Sequence, residues 1–377
     1  MTKNVQLKRA LFIFVVVRGC IKATATFMPS SLVLRNLFHV SMWVFALTLL
    51  VGCHTPPGAI EVKGVELPDS CRETQWMNVL STLPKSNNQA KQLAHLQQAD
   101  SGFWTLWCED ILQLGPAEDT STIEVLGQFL TEMRPMLEAI DTTSGRQDIL
   151  DRESLRLRDG LKRMHVISED IPVPDVVWMP SGFNFAVYPT ATKLCIGLDW
   201  FMGAEHPIHA ELPPSRFPAY RLARMRPDRM APDALQGWLA VSQQHRIPPA
   251  PRAVDMWLYW GKVMHVLSRC FPDASPAELM NWTQEEWDWA VDHERATWAE
   301  MQPQERMFSK QPREVMRWFQ EGPFTRVGNV PQDSPDRLGI FLGWRAVQAA
   351  AEAHPEWTDR DVLEWTDVQA ILRAYRP

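Results

Sequence analysis

The chain has 377 residues, 45 % hydrophobic and 22 % charged, which is enough apolar material for a full-sized core in one or two domains and too much for a disordered tail. Its 38 Lys and Arg against 45 Asp and Glu leave a formal charge of -7, so there is no general attraction to nucleic acid; the arginines between Arg216 and Arg229 are a local exception. Cysteines at 20, 53, 71, 108, 195 and 270 have no C-x-x-C spacing, which argues against a thiolate metal centre and a disulfide scaffold.

Two apolar segments come first. The earlier one, Leu11 to Lys22, lies well upstream of the second, Val40 to Val51, which follows Arg35 and His39. The second is shorter than the roughly twenty residues a spanning helix needs, and suits the core of a signal peptide. It ends in "LVGC", Leu50 to Cys53, which looks like the lipobox of bacterial lipoproteins. The small Gly52 would admit the protease, and acyl chains on Cys53 would replace the removed peptide as the anchor. A buried strand or an uncleaved signal anchor is the competing account. The expected layout is a signal sequence over 28–52 starting at Met28, with 1–27 outside the mature protein, then a turn-rich tether over 53–74.

From 75 to 163 the pattern is helical. Phe103, Leu106, Trp107, Ile111, Leu112 and Leu114 make an apolar stripe that Gly115-Pro116 ends. Strands are expected in "LKRMHVI" (Leu161 to Ile167), "DVVWMP" (Asp175 to Pro180) and "KLCIGLDWFMG" (Lys193 to Gly203), with "PSGFNFAVYPT" as a connection. Helices return at Pro232–Gln244, Ala253–Phe271, Ser275–Gln302, Gln311–Glu321 and Leu338–His354; Ser275, Pro276 and Glu278 form a start signature. The fold class is α+β, mostly helical with a small central sheet, the sheet and C-terminal helical part covering 164–377.

No catalytic constellation emerges. H-E-x-x-H, which puts two imidazoles on one helical face with a glutamate toward the bound water, is absent, as are G-x-S-x-G and a glycine-rich phosphate loop. The nearest approaches to a metal site are His206 and His209, split by Pro207 in a loop-like stretch, and His293 between Asp292 and Glu294. No metal, cofactor or catalytic residue is therefore expected.

The order of several segments carries more information. "YPTATKLCIGLDWFMGAEHP" (188–207) is followed by "PAYRLARMRPDRMAPD" (218–233) and "YWGKVMHVL" (259–267). Then come "ELMNWTQEEWDWAVDHERATWAEM" (278–301), "FTRVGNVPQDSPDRLGIFLGWRAVQAAAEAHPEWT" (324–358) and "AILRAYRP" (370–377). Together these resemble the GldB family, the gliding motility-associated lipoproteins of Bacteroidota; the helical lobe before Tyr188 is divergent. The resemblance implies a lipid-anchored envelope protein facing the periplasm and tied to the machinery that secretes and moves adhesins. It also implies a degenerate zincin-like scaffold, distantly similar to metalloproteases, used without catalysis. Membrane lipid through acylated Cys53 and an envelope protein complex would be the partners. His54, and not Asp, follows the cysteine, which favours the outer membrane.

Four further residues are candidates for structural or partner-binding roles. Asp199 sits in an apolar strand-like run, where a carboxylate needs a partner, and Lys262 or Arg337 is expected to supply one; capping a strand end is the plainer alternative. Lys262 follows Gly261 amid apolar residues. Asp336 and Arg337 belong, with Gly328, Gly339 and Gly343, to a turn into the last long helix, and the four-residue spacing of Gly339 and Gly343 would let another helix approach one face. Trp282, Trp287, Trp289 and Trp298 form either a buried helical stripe or a binding groove. Three functions compete: an envelope scaffold, a metallohydrolase using His206, His209 and His293, and a peptide- or glycan-binding protein with an open aromatic cleft.

Overall fold

The computed structural model describes residues 58–68, 71–84 and 88–377. Cys53, both N-terminal apolar segments and the expected signal sequence lie outside them. Residues 60–377 form one unit, mostly helical with a four-stranded mixed sheet.

The strands are β1 (Glu73–Gln75), β2 (Asp175–Met179), β3 (Val187–Pro189) and β4 (Lys193–Gly197), in the spatial order β1-β2-β4-β3. β1 and β4 run parallel to β2, pairing Val177 with Thr74 on one side and with Cys195 on the other. The antiparallel β3 closes the far edge, where Pro189 costs no ladder bond. Continuous apolar runs in β2 and β4 suit strands covered on both faces, and Val176 to Met179 and Leu194 to Ile196 are all buried. "DVVWM" and "KLCIG" are strands as the sequence predicts, whereas the connection between them contributes β3. Glu73 and Thr74, at the end of the expected tether, belong to β1.

Six longer helices are α1 (Gln89–Thr105), α2 (Thr120–Glu132), α3 (Gln147–Ile167), α4 (Met230–Ser242), α5 (Ala253–Cys270) and α6 (Leu338–Ala353). Trp76, Phe103, Trp104 and Trp107 are fully buried and pack with Val177, Met179 and Cys195, which joins the first helical lobe to one face of the sheet. α4 packs on β3 and β4, and α3 packs on both α4 and α5.

The expected strand Leu161–Ile167 is about the last two turns of α3. Leu157, Leu161, Met164 and Ile167 are buried at helical spacing, and that period outweighs the β-branched content of two residues. The expected helical stretch Ser275–Gln302 is three helices: Pro276–Met280, Gln284–Asp292 and Glu294–Met301. Ser275 Oγ caps the first by accepting from Glu278 N at 3.1 Å. Asn281 then turns left-handed at φ 51°, and Thr283 with Glu286 makes a capping box that starts the second.

α5 and α6 make the closest helix contact, and glycines at the crossing permit it. A Cβ on Gly261 would lie 2.3 Å from the Gly343 carbonyl oxygen, and one on Gly343 would lie 2.1 Å from that of Trp257. Gly339 serves a different neighbour, the backbone and side chains of Trp318 and Phe319. The two glycines of α6 therefore do not act as one helix-facing pair.

Candidate functional site

Asp199 lies beyond β4, in the 3-10 turn Leu198–Phe201, and is fully buried. Its carboxylate accepts from Ser181 N at 2.8 Å, from Ser181 Oγ at 2.9 Å and from Phe183 N. The expected pairing with Lys262 or Arg337 is not formed. The turn folds Asp199 back over its own sheet end, where the backbone after β2 offers amides. Gly182 and Phe183 are both left-handed there, at φ 65° and 57°, and in that turn the N–H groups of Ser181 and Phe183 converge on the carboxylate. Burial pushes the Asp199 carboxyl above the ordinary range, against the pull of these donors. Asp199 clamps a loop to the sheet.

Asp336 is the second hub. It is fully buried and accepts from Arg224 at 2.5 and 3.0 Å, Arg337 Nε at 3.0 Å, Trp282 Nε1 at 3.0 Å and Gly322 N at 2.9 Å. Arg337, left-handed at φ 55°, also donates to the Met280 carbonyl at 2.6 Å. Burial alone would raise the Asp336 pKa, but Arg337 and Arg224 outweigh it and hold the carboxyl at about 2. The arginine cluster between 216 and 229 is spent similarly: Arg216 donates to the Phe183 carbonyl, Arg221 pairs with Glu321, Arg226 with Asp228 and the buried Arg229 with Asp233.

The aromatic and imidazole groups turn inward too. Trp282 and Trp298 are buried, and Trp287 packs edge-on against Phe341 and Trp344. Trp289 stacks on His293 with ring centroids 4.1 Å apart. Because Trp282 precedes the helix that carries Trp287 and Trp289, it does not share a helical stripe with Trp289. His206 and His209 have ring centroids 6.0 Å apart; His206 Nδ1 accepts from Ile208 N, and His209 Nδ1 lies 3.1 Å from the Ala204 carbonyl. Among the described residues no three His, Cys, Asp or Glu side chains converge as a metal would require.

Lys262 is different. It projects from α5 into a cavity of about 650 Å³ whose walls include Arg246, Leu258, Tyr259, Leu363 and Trp365. Its Nζ donates to the Trp365 carbonyl. Burial first, and Arg246 second, lower its pKa from 10.5 to about 8. A folded-state value below the unfolded one means that charged Lys262 opposes folding at neutral pH. Stability then rises between pH 8 and 10.5, where the unfolded chain still holds a proton that the folded one has lost. Lys262→Met is therefore expected to be more stable than the wild type at pH 7, by about 1–2 kcal/mol after the lost hydrogen bond. Thermal unfolding from pH 7 to 10.5 should show the margin shrinking; a constant or negative margin would contradict this account.

Two partnerships escape single-sequence reading. Asp359 pairs with His265 at 3.0 Å and with Arg269 at 2.9 Å. The buried Glu294 accepts from Tyr375 Oη at 2.8 Å and from Arg345 at 3.1 Å. Tyr375 thus locks the C-terminal segment to the helix that starts at Glu294. Its visible signal was only the "AYRP" ending.

The fold and its buried polar hubs define a rigid, mostly helical α+β module. Residues 70–377 match the family model of the gliding motility protein GldB, and the chain belongs to that family. No curated protein and no solved structure matches it. Family membership makes it a gliding motility-associated lipoprotein of the cell envelope. Among the described residues no helix is long and apolar enough to cross a membrane.

Proposed function

We propose that the chain is a non-enzymatic component of the cell envelope, anchored by acyl chains on Cys53, that supports gliding motility or the associated secretion machinery within a protein complex. The family match over the whole of 70–377 carries this reading. The "LVGC" sequence supports the anchor, and His54 after it supports the outer membrane.

A noncatalytic use of a zincin-like scaffold is supported by how its histidines are employed. His206 caps a turn, His265 pairs with Asp359, and His293 and His354 stack on Trp289 and Trp357. Asp199, Asp336 and Arg337 likewise tie chain segments together, which suits a scaffold.

The test joins mass analysis of the mature N-terminus with fractionation and affinity capture from the membrane. An acylated Cys53 is expected in the outer-membrane fraction together with envelope proteins, and Cys53→Ala should leave that fraction. A mature chain starting elsewhere, or a Cys53→Ala protein still membrane-bound, would refute the anchor. Capture of the protein alone at native abundance would refute the complex.

A further inference from the structure

We propose that the cavity beside Lys262 binds an amphipathic organic anion, its charged head against Lys262 and Arg246 and its apolar body against Leu258, Tyr259, Val263 and Leu363. The site goes beyond the envelope-scaffold reading and does not depend on Cys53.

The cavity lies where the connector after α4 and the α5 helix it leads into meet Lys310 and residues 363–368. Its volume of about 650 Å³ is that of a small-molecule site. Five basic side chains face it, namely His245, Arg246, Arg252, Lys262 and Lys310, against one carboxylate, Asp255. That carboxylate is engaged by Arg252 through bonds of 2.7 and 2.9 Å, and Lys310 adds to the positive field around it. A cationic excess therefore remains in the lining, in a chain whose net charge is -7.

The excess is also held in position. Arg246 Nε donates to Gln243 Oε1 at 2.7 Å, which fixes the guanidinium plane and leaves its terminal nitrogens for another acceptor. The Lys262 ammonium has three donors, and the Trp365 carbonyl uses one. One turn before Lys262 on the same helix, Tyr259 spends its hydroxyl on the Ala240 carbonyl, which leaves its ring to line the space as an apolar surface. Basic head groups beside aliphatic and aromatic surface select a ligand with one anionic head and an apolar body. A carboxylate or a phosphate monoester meets that description. Asp336, Arg337, Arg229 and Glu294 each meet an opposite charge, whereas Lys262 meets only a carbonyl and carries a depressed pKa, a cost that a bound anion would relieve.

Calorimetric titration of the full purified chain tests the site, using 2-naphthoate, 2-naphthyl phosphate, neutral 2-naphthalenemethanol and inorganic phosphate as probes. At least one naphthyl anion is expected to saturate at one equivalent, about tenfold or more tighter than the neutral alcohol, with inorganic phosphate much weaker. The tighter of the two anions identifies the head group. Lys262→Met and Arg246→Gln should each weaken the anion about tenfold without affecting the alcohol, while Arg326→Gln, remote from these walls, should change nothing. Arg246 is exposed on a connector, so its variant tests the site without altering a buried helix position. Equal binding of alcohol and anions, no saturable anion binding, or unchanged affinity in folded Arg246→Gln would overturn the proposal.

Discussion

Gly343→Ala is expected to cost about 3 kcal/mol or more of stability, an unusually large effect for one methyl group. Its Cβ would sit 2.1 Å from the Trp257 carbonyl oxygen and 3.3 Å from Gly261 N, both helix backbone that no rotamer change can move aside. The only relief is to separate α5 from α6, which opens contacts along both helices. Gly127, in the middle of α2, is the natural control, since a Cβ there meets nothing within 4 Å. Gly127→Ala should be neutral or stabilising by up to about 1 kcal/mol. Denaturant melts of both variants decide the matter. A Gly343→Ala protein as stable as the wild type would show that the crossing can loosen without loss.

Asp336→Asn should produce the other large effect, about 3–5 kcal/mol at pH 7, because it leaves Arg224 and Arg337 buried beside an uncharged amide. The pH dependence has a definite sign. With the folded carboxyl near 2 and an ordinary value of 3.8, the stability from ionised Asp336 is present above about pH 4 and is lost as pH falls through 2. The difference between wild type and Asp336→Asn should therefore narrow across that interval in urea melts. A gap unchanged down to pH 2 would mean that the carboxylate charge contributes nothing to the hub.

Much of the fold was legible because local rules and tertiary packing agree there. The buried runs of β2 and β4, the cap at Ser275 and the start of α6 at Leu338 follow from period and end signals. Leu161–Ile167 was misread because its four-residue stagger extends a helix begun well upstream, beyond a seven-residue window. Asp199 was rightly singled out as a carboxylate requiring partners, yet those partners were set by two left-handed residues on another strand's loop, and no spacing encodes that. The cavity around Lys262 was invisible for the same reason. Its lining joins the connector and helix between 243 and 263 with Lys310 and with residues 363–368, none carrying a recognisable interval, and only the isolated lysine hinted at it.

The crossing of α5 and α6 also governs when the molecule can become whole. Its two halves are separated by the short helices between 276 and 316 and the turns that follow, so a chain emerging from its N-terminus can pack α5 on α3 and α4 but leaves its α6-facing side uncovered until α6 arrives. The final lock, Tyr375 on Glu294, cannot close before the last residues appear. The side of α5 that meets α6 thus stays uncovered while the chain between Cys270 and Leu338 is made.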